Sequence, residues 1–273
     1  MTTGESGAIT FSIRFQTAQF KEHTQKLTRR TYLIPPPSAI VGLFGAILGI
    51  QSHDLRRISE NLFAGAELLE LGGRSVSIAR TFKIDRSAGA LIRLLEEYYG
   101  FSKKWSKERV AVAKDISGLL PLKESEELYM VKYKFAVAST DKNLITQGFN
   151  KLKELDFEYD IFGGNDYHFV DFIGEVKHAS LEKSRIGRGY CALEDFESVE
   201  TSNFRIMSGV DEHFKPLPMV IPAMFLADVK KPFVMVYGAD IRAKKELEIV
   251  NDGESKIFVH KAAPFVVSWE HVL

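Results

Sequence analysis

Phe11, Ile13 and Phe15 alternate with Ser12, Arg14 and Gln16 in "FSIRFQT" (11–17), the period-two pattern of a half-buried strand. Residues 18–34 are polar and basic without a period and read as a loop. A helix is predicted from Ser38 to about Gly49: prolines 35–37 precede an apolar segment, and proline fits the first helical positions, whose N–H groups have no intrahelical partner. Residues 51–71 read as helix and connection, and "RSVSIARTFKI" (74–84) alternates again as a strand. Residues 85–127 are charged and irregular, with a helical patch at 87–100. "LYMVKYKFAVA" (128–138) is a strand. "DKNLITQGFNKLKEL" (141–155) is an amphipathic helix with Asp141 as N-cap and Leu144, Ile145, Phe149, Leu152 and Leu155 as its apolar face. "HFVDFIGEV" (168–176) is a further strand, after the turn "FGGND".

This order predicts an α+β fold: a ferredoxin-like (RRM-like) βαββαβ domain over 1–185 with an insertion at about 74–127. Sheets of this kind are common RNA-binding platforms. Beyond 185 the texture changes. Short β-like runs at 219–227 and 232–241 sit among turns, so 186–273 reads as a smaller, mostly β segment.

The chain has 273 residues, 45% of them hydrophobic, enough to bury a sizeable core. Its 36 basic and 36 acidic residues cancel, so the chain as a whole is not an obvious polyanion binder. The balance is nonetheless uneven. Residues 190–273 hold 9 Lys/Arg and 13 Asp/Glu, a net of −4, leaving +4 for residues 1–189. That asymmetry points toward nucleic acid. The single cysteine, Cys191, excludes an internal disulfide and a thiolate cluster. The N-terminus lacks the pattern of a signal peptide, and the longest apolar run, 39–50, is too short for a bilayer span of about 20 residues. A protein in the cytoplasm, with no membrane partner, is the expectation.

Catalytic motifs are absent: there is no Walker loop, no G-x-S-x-G and no H-E-x-x-H. The seven histidines are scattered. His168 and Asp171, with Asp166, fall on opposite faces of a strand and read as a surface turn rather than a metal site. No cofactor or metal is expected.

From Arg14 to Arg30 there are five basic residues and one acid, Glu22. Lys21, Lys26, Arg29 and Arg30 offer cations there, Gln25 and Thr28 add amide and hydroxyl groups, and Tyr32 adds a ring on which a base could stack. The loop leads into a helix N-terminus, where free N–H groups attract anions. Gly42, Gly45 and Gly49 share one helix face, and each costs about 1 kcal/mol relative to alanine, so a close approach of a strand or a nucleic-acid backbone is expected on that stripe. Residues 74–109 hold nine basic residues, among them Arg74, Arg80, Lys83, Arg86 and Lys104, against four acids. Tyr98, Tyr99, Phe101 and Trp105 interleave with them, a composition suited to single-stranded nucleic acid or to an ordinary charged surface over a small aromatic core. In "SRIGRGY" (184–190), Arg185 and Arg188 alternate with glycines, as a phosphate contact or a linker.

A strand, a basic loop and then "TYLIPPPSAIVGLFGAILG" (31–49) resembles the N-terminus of a CRISPR-associated family of the RAMP superfamily. Its members bind the 5′ handle of the guide RNA in Cascade-type (type I) interference complexes. "YDIFGGNDYHFVDFIGEV" (159–176) resembles the family's later Gly-containing turn and strand. The resemblance covers about the first 180 residues. It implies a RAMP domain whose thumb is the 74–127 insertion, crRNA as partner through its 5′ handle, an adjoining Cascade backbone subunit, the large subunit of the complex, and target DNA indirectly. The handle is then expected against the 20–32 loop and the helix start, including Ser38 and Gly42. One branch of the family cleaves repeat RNA without metal, using a set such as Tyr, Lys and His. Tyr32, His23 and Lys104 are the raw material here, but "KKW" stands where a Lys-His pair would. The non-catalytic branch is therefore expected, with the metal-independent endoribonuclease as alternative.

Overall fold

The alternation seen at 11–17 belongs to a longer strand, β1 (Gly7–Ala18), whose Ile9, Phe11, Ile13 and Phe15 are fully buried. The structure, a computed structural model, describes residues 7–22, 28–80, 122–164, 167–200 and 218–266. The fold is α+β and dominated by its sheets, with few helices among the described residues. In chain order, β1 is followed by β2 (Thr28–Arg29), α1 (Pro37–Leu48), α2 (Leu55–Ser59), β3 (Leu62–Arg80) and β4 (Leu122–Ser139). Next come α3 (Lys142–Glu154), β5 (Val170–Ala192), β6 (Phe196–Glu200), β7 (Met219–Phe225), β8 (Lys231–Asn251), β9 (Lys256–Phe258) and β10 (His260–Lys261).

Strands β3, β4, β1 and β5 lie side by side in that order, each antiparallel to its neighbours. Both helices pack on one face of this sheet. α1 contributes Ile40, Val41, Phe44 and Ile47, and α3 contributes Ile145 and Leu152. Asp141 caps α3 as expected, its Oδ1 accepting from the amides of Asn143 (3.0 Å) and Leu144 (3.4 Å). Gly148 on α3 leaves room for the Phe44 ring, so the helices meet closely.

Strands β6–β9 build outward from the second half of β5, around Cys191, Val236, Ile241, Ile249 and Phe258. β5 itself runs unbroken through 185, so it carries the chain from the first sheet into the C-terminal segment. The turn before β9 folds back over the first sheet. There Asp252 accepts from Thr10 Oγ1 (2.8 Å) and pairs with Lys134 Nζ (2.5 Å).

The reading of 51–71 as helix and connection is corrected. Only Leu55–Ser59 is helical, and β3 begins at Leu62. Both faces of this strand are covered, Leu62, Ala64, Ala66 and Leu68 by the helix-side core and Gly65 by the Phe258 carbonyl of β9. Burial on both faces removes the alternation that marks a strand. β3 and β4 then continue as a two-stranded ribbon whose last pair is Arg80 with Leu122. The expected insertion thus starts and ends within this ribbon, and 81–121 lie outside the described residues.

Candidate nucleic-acid interface

The basic loop after β1 closes as a small hairpin. The Tyr32 amide donates to the Phe20 carbonyl (2.8 Å), the Glu22 amide to the Arg30 carbonyl (2.9 Å), and Lys21 bridges antiparallel to Thr31. Thr31 Oγ1 accepts from the Phe20 amide (2.9 Å) and donates to the Tyr32 carbonyl (3.1 Å). β2 then pairs parallel with Glu124 and Ser125 of β4. Arginine and lysine are thereby carried on an ordered hairpin, and Lys21, Arg29 and Arg30 are exposed on it.

Glu126 is the hub that ties this hairpin to the ribbon. Its Oε2 accepts from the Thr31 amide (3.1 Å), and its Oε1 pairs with Arg74 Nη2 (2.6 Å). Gln19 Nε2 donates to Ser125 Oγ and to the Glu126 carbonyl, both at 2.8 Å. Burial raises the pKa of the Glu22 carboxyl above its ordinary value, as does the nearby Glu126 charge, while Arg30 and Arg74 pull it down. Arg30 and Arg74, 44 positions apart in the sequence, therefore act on one carboxylate.

The helix start differs from the anion site expected of it. Pro36 is the N-cap and Pro37 the first residue, and neither has an N–H. The amides of Ala39 and Ile40 already donate to the Pro36 carbonyl (3.0 and 3.2 Å). Prolines 35–37 are buried, and half-buried Ser38 supplies the one remaining first-turn amide. The glycine stripe also divides by cause. A Cβ at Gly45 would strike Leu55 of α2, Gly49 is left-handed (φ 76°) at the helix end, and a Cβ at Gly42 would meet nothing within 4 Å. Only Gly42 leaves open space on the helix surface.

Two further expectations are corrected. Tyr32 is not a stacking platform: it is 2% exposed, its hydroxyl donates to the Met224 carbonyl (2.5 Å), and its ring stands edge-on to Phe225 at 5.2 Å. The apolar side chains that follow it draw it into the core. Arg188 is not a surface phosphate contact: Nη1 donates to Glu67 Oε1 (2.7 Å) and Nε to Asp240 Oδ1 (2.5 Å), bridging β3, β5 and β8. Arg185 is more open, yet its Nη2 pairs with Glu197 (3.1 Å) and its Nε donates to the Ala243 carbonyl (3.2 Å). Gln25, Lys26, Lys83, Arg86, Lys104 and Trp105 lie outside the described residues, as do the side chains of Thr28 and Arg80.

Sequence reasoning passed over the open part of the first sheet. Arg14 pairs with Asp171 (2.6 Å) and stands 6.0 Å over the exposed ring of Phe172, and Lys132 lies opposite Arg14 on β4. The alternation of β1 named Arg14 as outward, but the ring came from a neighbouring strand that only the fold supplies.

Cys191 and His168 are closed. Cys191 is buried, and that burial pushes its thiol up to about 12. His168 is fully buried with Nδ1 2.7 Å from Thr17 Oγ1, and burial lowers its pKa. Among the described residues, no group of three His, Cys, Asp or Glu side chains could hold a metal ion. No described helix is long and apolar enough to cross a membrane.

Residues 8–78 match the family model described as CRISPR-associated protein (Cas_Cas5). Among solved structures the chain is similar to one described as a Cas protein, at 13% identity and a TM-score of 0.34. That likeness covers 59% of this chain and 58% of the other, so the chain spans under two thirds of its length. It is also similar to a chain of a CRISPR RNA-guided surveillance complex (11% identity, 88% and 91% covered, TM-score 0.43). A CRISPR protein from Archaeoglobus fulgidus is a third likeness (10% identity, 93% and 98% covered, TM-score 0.45). No curated protein matches. The structural likenesses are too distant to carry an argument. The family match runs from β1 through α1 and most of β3, so the N-terminal region of this chain is similar to the Cas5 family of CRISPR-associated proteins.

Proposed function

We propose that this protein is a non-catalytic subunit of a type I CRISPR interference (Cascade) complex, acting in antiviral defence. In this reading it binds the 5′ handle of the crRNA and caps the backbone filament. The observation that carries the reading is the ordered basic hairpin, in which Lys21, Arg29 and Arg30 are exposed and Arg74 converges on the same ribbon, within the region that matches the family. The strand order β3-β4-β1-β5, with α1 and α3 as crossovers, supports a ferredoxin-like, RRM-like domain. The ribbon of β3 and β4, described as far as Arg80 and Leu122, supports reading the insertion as a thumb, with Lys83, Arg86, Lys104 and Trp105 as its contacts to the guide. The open surface at Gly42 allows an RNA backbone to lie against α1. A backbone subunit and the large subunit are the partners, and target DNA is reached through the guide. A cytoplasmic ribonucleoprotein follows.

The burial of Tyr32 favours the non-catalytic branch, since a hydroxyl committed to the Met224 carbonyl is not presented to a scissile phosphate. The test of handle binding is a titration of handle-containing RNA across salt concentrations. Arg29→Ala with Arg30→Ala is expected to weaken binding, and each lost phosphate contact should lower the salt slope by roughly 0.7. Unchanged affinity and slope would remove the hairpin from the site.

A further inference from the structure

β5 has a free edge at its start. Val170–Ala179 ladders with β1 on one side, and pairing with β8 begins only at Ser180. Among the described residues, no strand lies on the other edge of 170–179. Unpaired donors and acceptors along a strand are a template for another strand. Beside this edge runs a groove of about 630 Å³, lined by Phe157, Ile161, Phe162, Phe169, Val170 and Ile173. Large apolar side chains of its lining stand open: Phe169 is 61% exposed and Tyr159 45%. A contiguous apolar surface of this kind marks an interaction site.

Charge decides what kind of partner fits. From Glu154 to Val176 the chain holds seven acids, Glu154, Asp156, Glu158, Asp160, Asp166, Asp171 and Glu175, and no lysine or arginine. Lys151, Arg14 and Lys177 reach in from outside the segment to pair with Asp156 and Glu158, with Asp171 and with Glu175. Asp166 lies outside the described residues, and three cations against the remaining six acids leave the rim acidic. Such a rim repels a phosphate backbone, and two copies of it repel each other, while a basic polypeptide is attracted.

We propose that the free edge of β5 and its groove dock an extended segment of a partner protein, one with alternating apolar and basic residues, as an added strand. The apolar side chains of that segment enter the groove beside Phe169 and Ile173, and its cations face Asp160 and Glu175. This goes beyond the RNA-binding reading and uses none of its residues.

The test uses the full chain and fluorescence anisotropy with three probes: a ten-residue peptide alternating lysine and valine, its glutamate–valine counterpart, and handle-containing RNA. The lysine peptide is expected to bind at least about tenfold tighter than the glutamate one. Phe169→Ser with Tyr159→Ser, and separately Asp160→Lys with Glu175→Lys, should each reduce that binding by about tenfold without loss of RNA affinity. All these side chains are outside the core, so both variants should keep the far-ultraviolet spectrum of the parent. Hydrogen exchange at 170–179 should slow when the lysine peptide is added. Equal binding of the two peptides, unchanged exchange at 170–179, or a loss of RNA affinity in either variant would overturn the proposal, the last by making this surface part of the RNA site. A concentration-dependent dimer abolished by the Phe169 and Tyr159 changes would overturn it in favour of a second copy. Loss of RNA binding by the parent chain with peptide binding intact would count against the RNA reading alone.

Discussion

His260 lies among rings: parallel to Tyr190 at 5.4 Å and edge-on to Phe233 at 5.0 Å. Its Nε2 is 3.1 Å from the Tyr190 carbonyl, which can only accept, so Nε2 carries the proton. Burial pushes the imidazole pKa down to about 4, against the opposing pull of that carbonyl and of Asp195. A folded-state value below the ordinary 6.5 means that the unfolded chain binds more protons between the two values. The neutral ring therefore contributes full stability above pH 6.5, and that contribution is lost as the pH falls toward 4, at up to about 1.4 kcal/mol per pH unit. His260→Phe keeps a ring in the cluster and removes the titration. In urea unfolding at pH 7 and pH 4.5, the parent is expected to lose about 2 kcal/mol more than the variant between the two conditions. Equal losses would show that His260 does not titrate in this window.

At the scale of elements, two glycines separate a close contact inside the fold from an open surface. A Cβ at Gly65 would collide with the Phe258 carbonyl oxygen, which is backbone and cannot rotate away. Gly65→Ala should therefore cost about 2 kcal/mol or more, because strand β3 and strand β9 must separate. A Cβ at Gly42 meets nothing, so Gly42→Ala should stabilise α1 by up to about 1 kcal/mol, read as a rise in melting temperature of the free protein. A loss of stability in the Gly42 variant would mean that the fold itself needs this glycine. The same contrast explains what the sequence could reveal. The 11–17 part of β1 and the Asp141-capped helix α3 were legible because each buries one face and leaves the other more open, so periodicity and the cap survive in the residue order, while α1 was marked by the prolines at its start. The first part of β3 was not, because burial on both faces erases the alternation at 62–71. Neither was the length of β5 and β8, because glycine-containing bends at 187–189 and 238 interrupt the strand pattern although the ladder continues through them. At the candidate site, Lys21, Arg29 and Arg30 were legible as a charge run. The Glu126 hub was not, since it joins residues about a hundred positions apart, and Tyr32 was misread because one aromatic letter does not say which way its ring faces.

At the scale of the molecule, the first sheet and the C-terminal strands are joined by charge as well as by packing. Arg188 stands at the bend of β5 between Glu67 of β3 and Asp240 of β8, with its side chain 14% exposed and theirs at 8% and 10%. A surface phosphate ligand and a buried bridge differ in what their removal does. Arg188→Ala leaves two carboxylates buried without this cation, and breaking a buried pair in this way costs about 3–5 kcal/mol. Replacing the whole set, Glu67→Gln with Asp240→Asn and Arg188→Met, removes the charges together and should recover much of that loss. The expected result in urea unfolding is therefore a severe effect of the single change and a milder one of the triple. Salt-dependent RNA titration of the triple variant should keep the parent's slope, since no exposed cation has been lost. A triple variant as unstable as the single one would mean that Arg188 contributes through packing of its stem rather than through charge. A slope lowered by roughly 0.7 would return Arg188 to the RNA surface.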